Sequence, residues 1–467
     1  MLDRVPHAPA APTLIAGIME TIRGRIAARR LAPGARLPSI RRLAQSERVS
    51  KSTVVEAYER LAAEGLIAAR PGSGFYVAGQ PLPPAPAPDA PRRERAIDPF
   101  WVMRQSLESD GAALKPGCGW LPESWMPTEA IRKALRAAAR DGDSALVDYG
   151  SPLGFAPLRA QLARRLADKG IAAAPSQILL TDSGTQAIDL VCRLLLREGD
   201  AVLVDDPCYF NFLGLARVHR AEVHGVPMTP TGPDLEAFAR LTAQHRPRLY
   251  LTNAALHNPT GAGLAPATAH RLLTLAEAAG MVVVEDDIFA DFEPDPPGPR
   301  LAALDGLARV VQVGSFSKTL SAAARCGYVA ARPDWIEALA DLKLATSFGN
   351  GDLTARLVHR LLTDGSYRRH VEAVRERLAR ALPETARRLR DAGLTLWAEP
   401  RGGLFLWAAL PDGVDSADIA RRAMAEGVVL APGNVFSVTQ SAGRFLRFNV
   451  AQGVGPQVSV LLRRLVG

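Results

Sequence analysis

Ile15, Ile18, Ile22 and Ile26 recur at helical spacing and predict an amphipathic helix at the start of the chain, ended by Pro33-Gly34. Ser39 is placed to cap a second, short helix through Ile40, Leu43 and Ala44. Ser50 is placed to cap a third, Lys51–Glu64, which turns Val54, Val55, Tyr58 and Leu61 inward and stops at Gly65. Leu66-Ile67-Ala68, a turn at Pro71–Gly74 and Phe75-Tyr76-Val77 predict a two-stranded wing. Two helices on a tight turn followed by a wing is winged helix-turn-helix geometry, whose second helix enters a DNA major groove by its N-terminal end. The texture then changes. Gln80–Arg95 holds six prolines in residues 81–91 and reads as an extended, semi-rigid spacer. Beyond it, strand-like runs at Ile178–Leu180, Ala201–Val204, Leu249–Leu251, Met281–Val284 and Val310–Val313 alternate with helical spacing, as in Ala187–Leu196 and Ala267–Ala278. That alternation predicts an α/β body with a largely parallel sheet and its chemistry at the C-terminal strand ends.

The 467 residues, 48% hydrophobic and 22% charged, suffice for two to four units with their own cores and exclude a disordered chain or a coiled coil. Leu249–His270 is long and charge-free, but Asn, His, Pro and Gly interrupt it, so no membrane span is expected. Met1–Pro12 lacks the apolar core of a signal peptide. Cys118, Cys192, Cys208 and Cys326 stand far apart without a CxxC pair, so no disulfide scaffold and no metal site is expected, and a reduced cytoplasm is the natural compartment. The net charge of +8 sits mostly in residues 1–80, where twelve Lys or Arg face six Asp or Glu. This suggests a polyanion partner for the head alone; arginine-rich coding on a solvated face would leave the same imprint.

Candidate chemistry follows the predicted ends. Ser50, Lys51, Ser52 and Thr53 open the third helix with short donors and a cation suited to phosphates and base edges, and Arg41, Arg42 and Arg70 add charge. The other reading is a capping serine among solvated arginines. In the body, Thr181–Gln186 is either an ordinary cap or a phosphate cradle at a helix N-terminus. Tyr209 follows one strand and is placed to stack on a planar ring; Asn258 follows another with an amide for a ring oxygen. Glu285-Asp286-Asp287 ends a buried strand with carboxylates that need a cation or donors. Lys318, after Ser315, is a Schiff-base candidate that in isolation would read as a surface lysine. A phosphate, a pyridine nitrogen, a ring oxygen, a ring face and an aldehyde together describe pyridoxal 5′-phosphate.

Two resemblances sharpen this. Leu31–Val77 resembles the GntR-family DNA-binding domain through its PGxxLPSxRxLA, VSxxTVxxAYxxLxxEG and RxGxGxFV segments. The resemblance implies DNA contacts at Ser39, Arg41, Ser50, Lys51, Ser52, Thr53, Arg70, Gly72 and Gly74, with Lys51 where the family often has arginine. Residues 112–467 resemble the aspartate aminotransferase superfamily through SGTQ, DPCYFNF, HNPTG, EDDIFADF, SFSKTLSAAARCGY and PRGGLFLW, in that order. It implies an aldimine at Lys318, Asp286 on the pyridinium nitrogen, Asn258 on the ring oxygen and Tyr209 on the ring face. Ser183, Gly184, Thr185, Ser315 and Arg325 would take the phosphate, Tyr149 would reach the neighbouring subunit's phosphate, and Arg447 would clamp a substrate carboxylate with Arg444 as the lesser candidate. Phe289 stands where the enzymes usually place a tyrosine. The whole resembles the MocR subgroup of transcriptional regulators: a winged helix-turn-helix (13–79), a Pro-rich linker (80–111) and an aminotransferase fold type I domain (112–467). The resemblance implies double-stranded DNA as partner, a head-to-tail homodimer, and a body that senses a vitamin B6 vitamer or amino compound. The alternative is a working aminotransferase with an attached DNA-binding head.

Overall fold

The computed structural model describes residues 13–78, 98–108, 113–140, 142, 144–147 and 149–466. The expectations for Met1–Pro12 and for most of the Pro-rich spacer lie outside the described residues. The chain divides into two compact units, Met1–Glu94 and Arg95–Gly467.

In the first unit two caps fall where Ser39 and Ser50 predict, and Thr13 supplies a third. Thr13, Ser39 and Ser50 each accept a backbone N–H three residues on, opening α1 (Leu14–Ala27), α2 (Ile40–Glu47) and α3 (Lys51–Ala63). Arg48 ends α2 in the left-handed conformation (φ +54°) and sets the tight turn into α3. Strands β1 (Ile67–Arg70) and β2 (Gly74–Val77) pair antiparallel. Their turn uses Gly72 at φ +70° and Gly74 at φ +103°, which side-chain-bearing residues rarely adopt. The core collects Ile18, Met19, Ile22, Leu37, Leu43, Val54, Ala57, Tyr58, Leu61 and Ile67. Val55, predicted inward, is only half-buried, and Ala57 takes its place because it lies three and four residues from Val54 and Leu61 on one helix face. The Tyr58 hydroxyl donates to the Pro38 carbonyl at 2.8 Å and its ring meets Phe75 edge-on at 4.8 Å.

In the second unit eight strands form one sheet: β3 (Ile178–Thr181), β4 (Ala201–Asp206), β5 (Glu222–Thr229), β6 (Gly232–Pro233), β7 (Leu249–Thr252), β8 (Val282–Asp286), β9 (Val310–Ser315) and β10 (Gly327–Ala330). Their order is β3-β10-β9-β8-β7-β4-β5-β6, parallel from β9 through β5. All five predicted strands lie in it. The sequence reading passed over β5, whose exposed Glu222 and half-buried His224 hide its strand pattern, and the four-residue β10, antiparallel to both neighbours. Apolar clusters cover both faces of the sheet. A second, antiparallel sheet of β11 (Thr395–Leu396), β12 (Phe405–Ala409), β13 (Ala431–Pro432) and β14 (Phe445–Asn449), in the order β11-β12-β14-β13, carries its own core with the long helix Ser366–Asp391. No helix among the described residues is long and apolar enough to cross a membrane.

One span differs from expectation. Part of the region assigned to the linker, Pro99–Glu108, is a helix, α4, and belongs to the body. Asp98 accepts the Trp101 N–H at 2.8 Å, and Val102 packs with Phe210, Trp407, Val435 and Phe436. Its apolar residues Phe100 to Met103 run consecutively rather than at helical spacing, which conceals it directly behind a proline-rich segment.

Leu61 is fully buried in the small first core. Leu61→Ala should remove about 2–5 kcal/mol from that unit, a large part of what holds so small a domain. Calorimetry should show the head's transition lost or moved sharply down with the body's unchanged; an equal shift of both would contradict two separate units.

Candidate functional site

Four of the predicted residues, Tyr209, Asn258, Lys318 and Arg447, line one cavity of about 140 Å³, together with Gly119, Trp120 and Phe289. The parallel strands explain why. Asp286 is the last residue of β8, Ser315 the last of β9 with Lys318 just beyond it, and Tyr209 and Asn258 follow β4 and β7. Arg447 comes from β14 of the smaller sheet.

Two buried charges line this cavity and a third, Asp286, lies close enough to act on Lys318. Asp286 is 4% exposed and has no ion pair among the described residues, so burial pushes its carboxyl up to about 7. Burial and then the nearby Arg447 bring the Lys318 amine down to about 8; its Nζ lies 5.8 Å from the centre of the Trp120 ring. Arg447, 2% exposed, is lowered to about 10 by burial. Its Nη1 donates to Asn258 Oδ1 at 2.8 Å and its Nη2 to the Gly117 carbonyl at 2.7 Å, while Nε has no partner. The rings of Phe405 and Phe436 lie 4.6 and 4.8 Å from the guanidinium carbon. Because Arg447 takes the Asn258 carbonyl, the Asn258 amide NH2 is the group left to donate. Phe289 is buried and meets Phe405 edge-on at 5.2 Å, so an apolar ring fills the place where a hydroxyl was expected. Burial raises the Tyr209 phenol to about 12, which keeps it neutral.

The cradle turn follows β3. Ser183 caps the helix Gly184–Leu195 by accepting the Gln186 N–H at 3.0 Å. A Cβ on Gly184 would stand 3.7 Å from the Ser315 side chain, so the helix N-terminus and the end of β9 are neighbours. Ser315 Oγ contacts Ser317 Oγ at 3.1 Å, and Thr185 accepts from Asn211 at 3.3 Å. Arg325 is exposed, at φ +38°. These groups fit pyridoxal 5′-phosphate: hydroxyls and backbone N–H groups at a helix N-terminus for the phosphate, a buried carboxylate that lacks a cation, an amide donor, and an amine held below its usual range. Tyr149 does not line the cavity; it is 83% exposed and its ring meets that of Phe348 at 4.8 Å, tilted by 57°. Arg444 also lies elsewhere, paired with the exposed Asp412 at 2.9 Å.

Residues that sequence reasoning missed hold the Asn258 loop. Asp205 is fully buried and accepts from Tyr250 and, at 2.7 Å, from Thr252. His257 Nε2 lies 3.3 Å from that carboxylate, and its Nδ1 bonds Thr260 at 2.7 Å. The histidine beside Asn258 was the available signal. Val102, Met103, Ser106 and Leu107 of α4 complete the cavity wall, and nothing local in the sequence marks them.

In the head, Ser50 Oγ accepts the Thr53 N–H at 3.1 Å and bonds the hydroxyls of Ser52 and Thr53, both at 2.7 Å. Lys51 and Ser52 are exposed, as are Ser39, Arg41, Gly72 and Gly74. Arg70 lies over the Tyr76 ring at 4.4 Å. Arg36, not singled out in the sequence, bridges to Tyr76 and adds a cation beside the wing.

The comparisons agree with this division. The aminotransferase class I and II family matches residues 121–465, and the bacterial regulatory proteins of the gntR family match residues 14–77. The HTH-type transcriptional regulator YdfD of Bacillus subtilis is 29% identical over 90% of this chain and 88% of its own length. The 2-aminoadipate transaminase of Thermus thermophilus is 33% identical over 74% of this chain and 88% of its own. The crystal structure of LysN, an α-aminoadipate aminotransferase from Thermus thermophilus complexed with N-(5′-phosphopyridoxyl)-L-leucine, superposes with a TM-score of 0.71 at 29% identity, covering 78% of this chain and 94% of that one.

Only the neutral Lys318 amine is nucleophilic, and it sits near pH 8. Capture of pyridoxal 5′-phosphate by the cofactor-free protein, followed by absorbance, should therefore speed up about tenfold per pH unit below 8 and level off above it. Arg447 helps to depress that amine, so Arg447→Met should move the midpoint upward. Lys318→Ala should show no such phase; a midpoint that stays put in Arg447→Met would contradict the electrostatic reading.

Proposed function

Because this chain belongs to the aminotransferase class I and II family and joins that domain to a gntR-family head, as MocR-type regulators do, we propose that it is a DNA-binding transcriptional regulator whose body holds pyridoxal 5′-phosphate and senses an amino compound or vitamin B6 vitamer. The carrying observation is α4. The helix that follows the segment leading to the head supplies Val102, Met103, Ser106 and Leu107 to the wall of the ligand cavity. A molecule that changes the cavity therefore acts on the element to which the head is tethered.

Bound cofactor supplies an aldehyde that condenses with amines and a pyridine ring that draws electrons. The chain's own groups do the rest. Lys318 presents an amine that is half neutral near pH 8, well below the range of an exposed lysine. Asp286 offers its carboxylate to a protonated ring nitrogen, which repays the desolvation of both groups. Asn258 donates to the ring oxygen while holding Arg447, and Arg447, without an anionic partner among the described residues, offers its guanidinium to a ligand carboxylate. Ser183, Gly184, Thr185, Ser315 and Arg325 take the phosphate. Tyr149 belongs with an exposed apolar group that includes Leu146, Val147 and Phe348, which supports a homodimer in which it reaches the partner's site. A chromosomal DNA partner supports the cytoplasm as the protein's compartment.

The working-enzyme reading is favoured by the retention of Lys318 and Arg447 on one cavity, with the Asp286 carboxylate close enough to act on the Lys318 amine. A steady-state transamination screen separates the two, since an enzyme must turn over well above free cofactor. Sensing is tested by DNA affinity with and without cofactor and candidate amines, beside Lys318→Ala and Arg447→Ala. By linkage, a ligand that alters DNA affinity must itself bind DNA-loaded protein with an affinity changed by the same factor. DNA affinity and half-site spacing preference that stay constant in every state would defeat the sensor.

On the head, Arg41→Ala or Arg70→Ala should weaken binding to all sequences and lower the log–log salt slope by about 1. Ser52→Ala or Thr53→Ala should instead change sequence preference, with about 1–3 kcal/mol at stake for a good base contact. Binding indifferent to salt would contradict both.

A further inference from the structure

At the β5 end of the sheet, β5 and the helix Leu235–His245 bring together three side chains that do not line the cavity and have no role above. Glu222 and His224 stand two apart on β5 and so share a face. His245 is the last residue of the helix. The two imidazole rings stack, with centres 3.5 Å apart and planes 24° apart. Glu222 Oε1 lies 3.1 Å from His224 Nε2, a nitrogen that is buried without a hydrogen-bond partner. One donor atom from each residue falls within 4.8 Å of the others, and among the described residues this is the one such group of three His, Cys, Asp or Glu side chains.

We propose that Glu222, His224 and His245 bind a divalent transition-metal ion, zinc being the metal that suits the donor set. Two imidazoles and a carboxylate are borderline donors that favour Zn2+ over Mg2+ or Ca2+, which prefer all-oxygen shells. Zinc takes nitrogen and carboxylate oxygen at about 2.0–2.2 Å. Donors around a tetrahedral ion therefore lie roughly 3.3–3.6 Å apart, so a pair near the 4.8 Å limit closes by about one ångström as the rings splay from their stack. Three protein donors leave a fourth position for water. The ion would clip the C-terminal end of the helix to the strand and stabilise the connection between them. The cysteines have no part in this, so the absence of a CxxC pair gave no hint of it. The two histidines are separated by a whole helix in the sequence and meet only in the fold.

The test is a zinc titration of the full-length, cofactor-loaded protein after chelator treatment, read by competition with a chromophoric chelator and by metal content after gel filtration. One zinc per chain is expected, with a rise in melting temperature. His224→Gln, His245→Gln and Glu222→Gln should each weaken binding by at least about tenfold, whereas His270→Gln, at an exposed histidine elsewhere, should not. Melting of the metal-free variants reports their folding, since Glu222 is well exposed and its replacement leaves the core intact. Failure to retain zinc, or retention equal in wild type and all three variants, overturns the site.

Discussion

A parallel sheet covered on both faces leaves polar side chains one way out of the core: the edge where the strands end. Everything chemical in the body depends on that constraint. β3, β4, β7, β8 and β9 all finish on the same edge, so Ser183, Tyr209, Asn258, Asp286 and Lys318 converge although they are scattered over more than a hundred residues. The smaller sheet contributes Arg447 from the opposite side and makes a cavity of what would otherwise be an open rim.

Neighbouring carboxylates on β8 show how the edge separates structure from chemistry. One oxygen of Asp287 carries its partners: Arg300 Nε donates to Oδ2 at 2.9 Å, Gln312 at 3.1 Å, and Lys169 lies 3.7 Å from it. Glu285, on the other side of Asp286, accepts the backbone N–H groups of Leu301 and Ala302, both at 2.9 Å. Asp286 between them has neither kind of partner in such measure, although it is equally buried. A buried carboxylate without an ion pair among the described residues, beside one paired with an arginine and one held by backbone N–H groups, is kept for a cation that arrives later. The converse holds for Arg447, whose guanidinium is surrounded by rings and carbonyl oxygens instead of a carboxylate.

What the sequence made legible follows from how local each determinant is. Ser39 and Ser50 cap within their own turns, and Gly72 and Gly74 mark a wing turn by their backbone needs, so the head could be read residue by residue. Lys318 and Asn258 stand beside strand ends visible as apolar runs. The Asp205–His257 brace and the stacked His224 and His245 are different in kind, since their partners come from other elements and meet only once the sheet is built. Phe289 illustrates both limits: its identity was plain, but not that its ring packs against the Phe405 ring lying beside Arg447. α4 escaped because it is anchored by tertiary packing on Phe210 and Phe436 rather than by its own periodicity.

That helix bears on how the chain can be divided. The aminotransferase family match begins at residue 121, which invites a cut there to separate body from head. Such a fragment would lack α4, lay the Phe210–Phe436 cluster open to water and remove one wall of the cavity. The unit that can be recombined with other heads, in the laboratory or in evolution, begins no later than Asp98, whose carboxylate opens the helix. Head exchange is confined to the proline-rich stretch, and the seam lies well upstream of where the aminotransferase match begins.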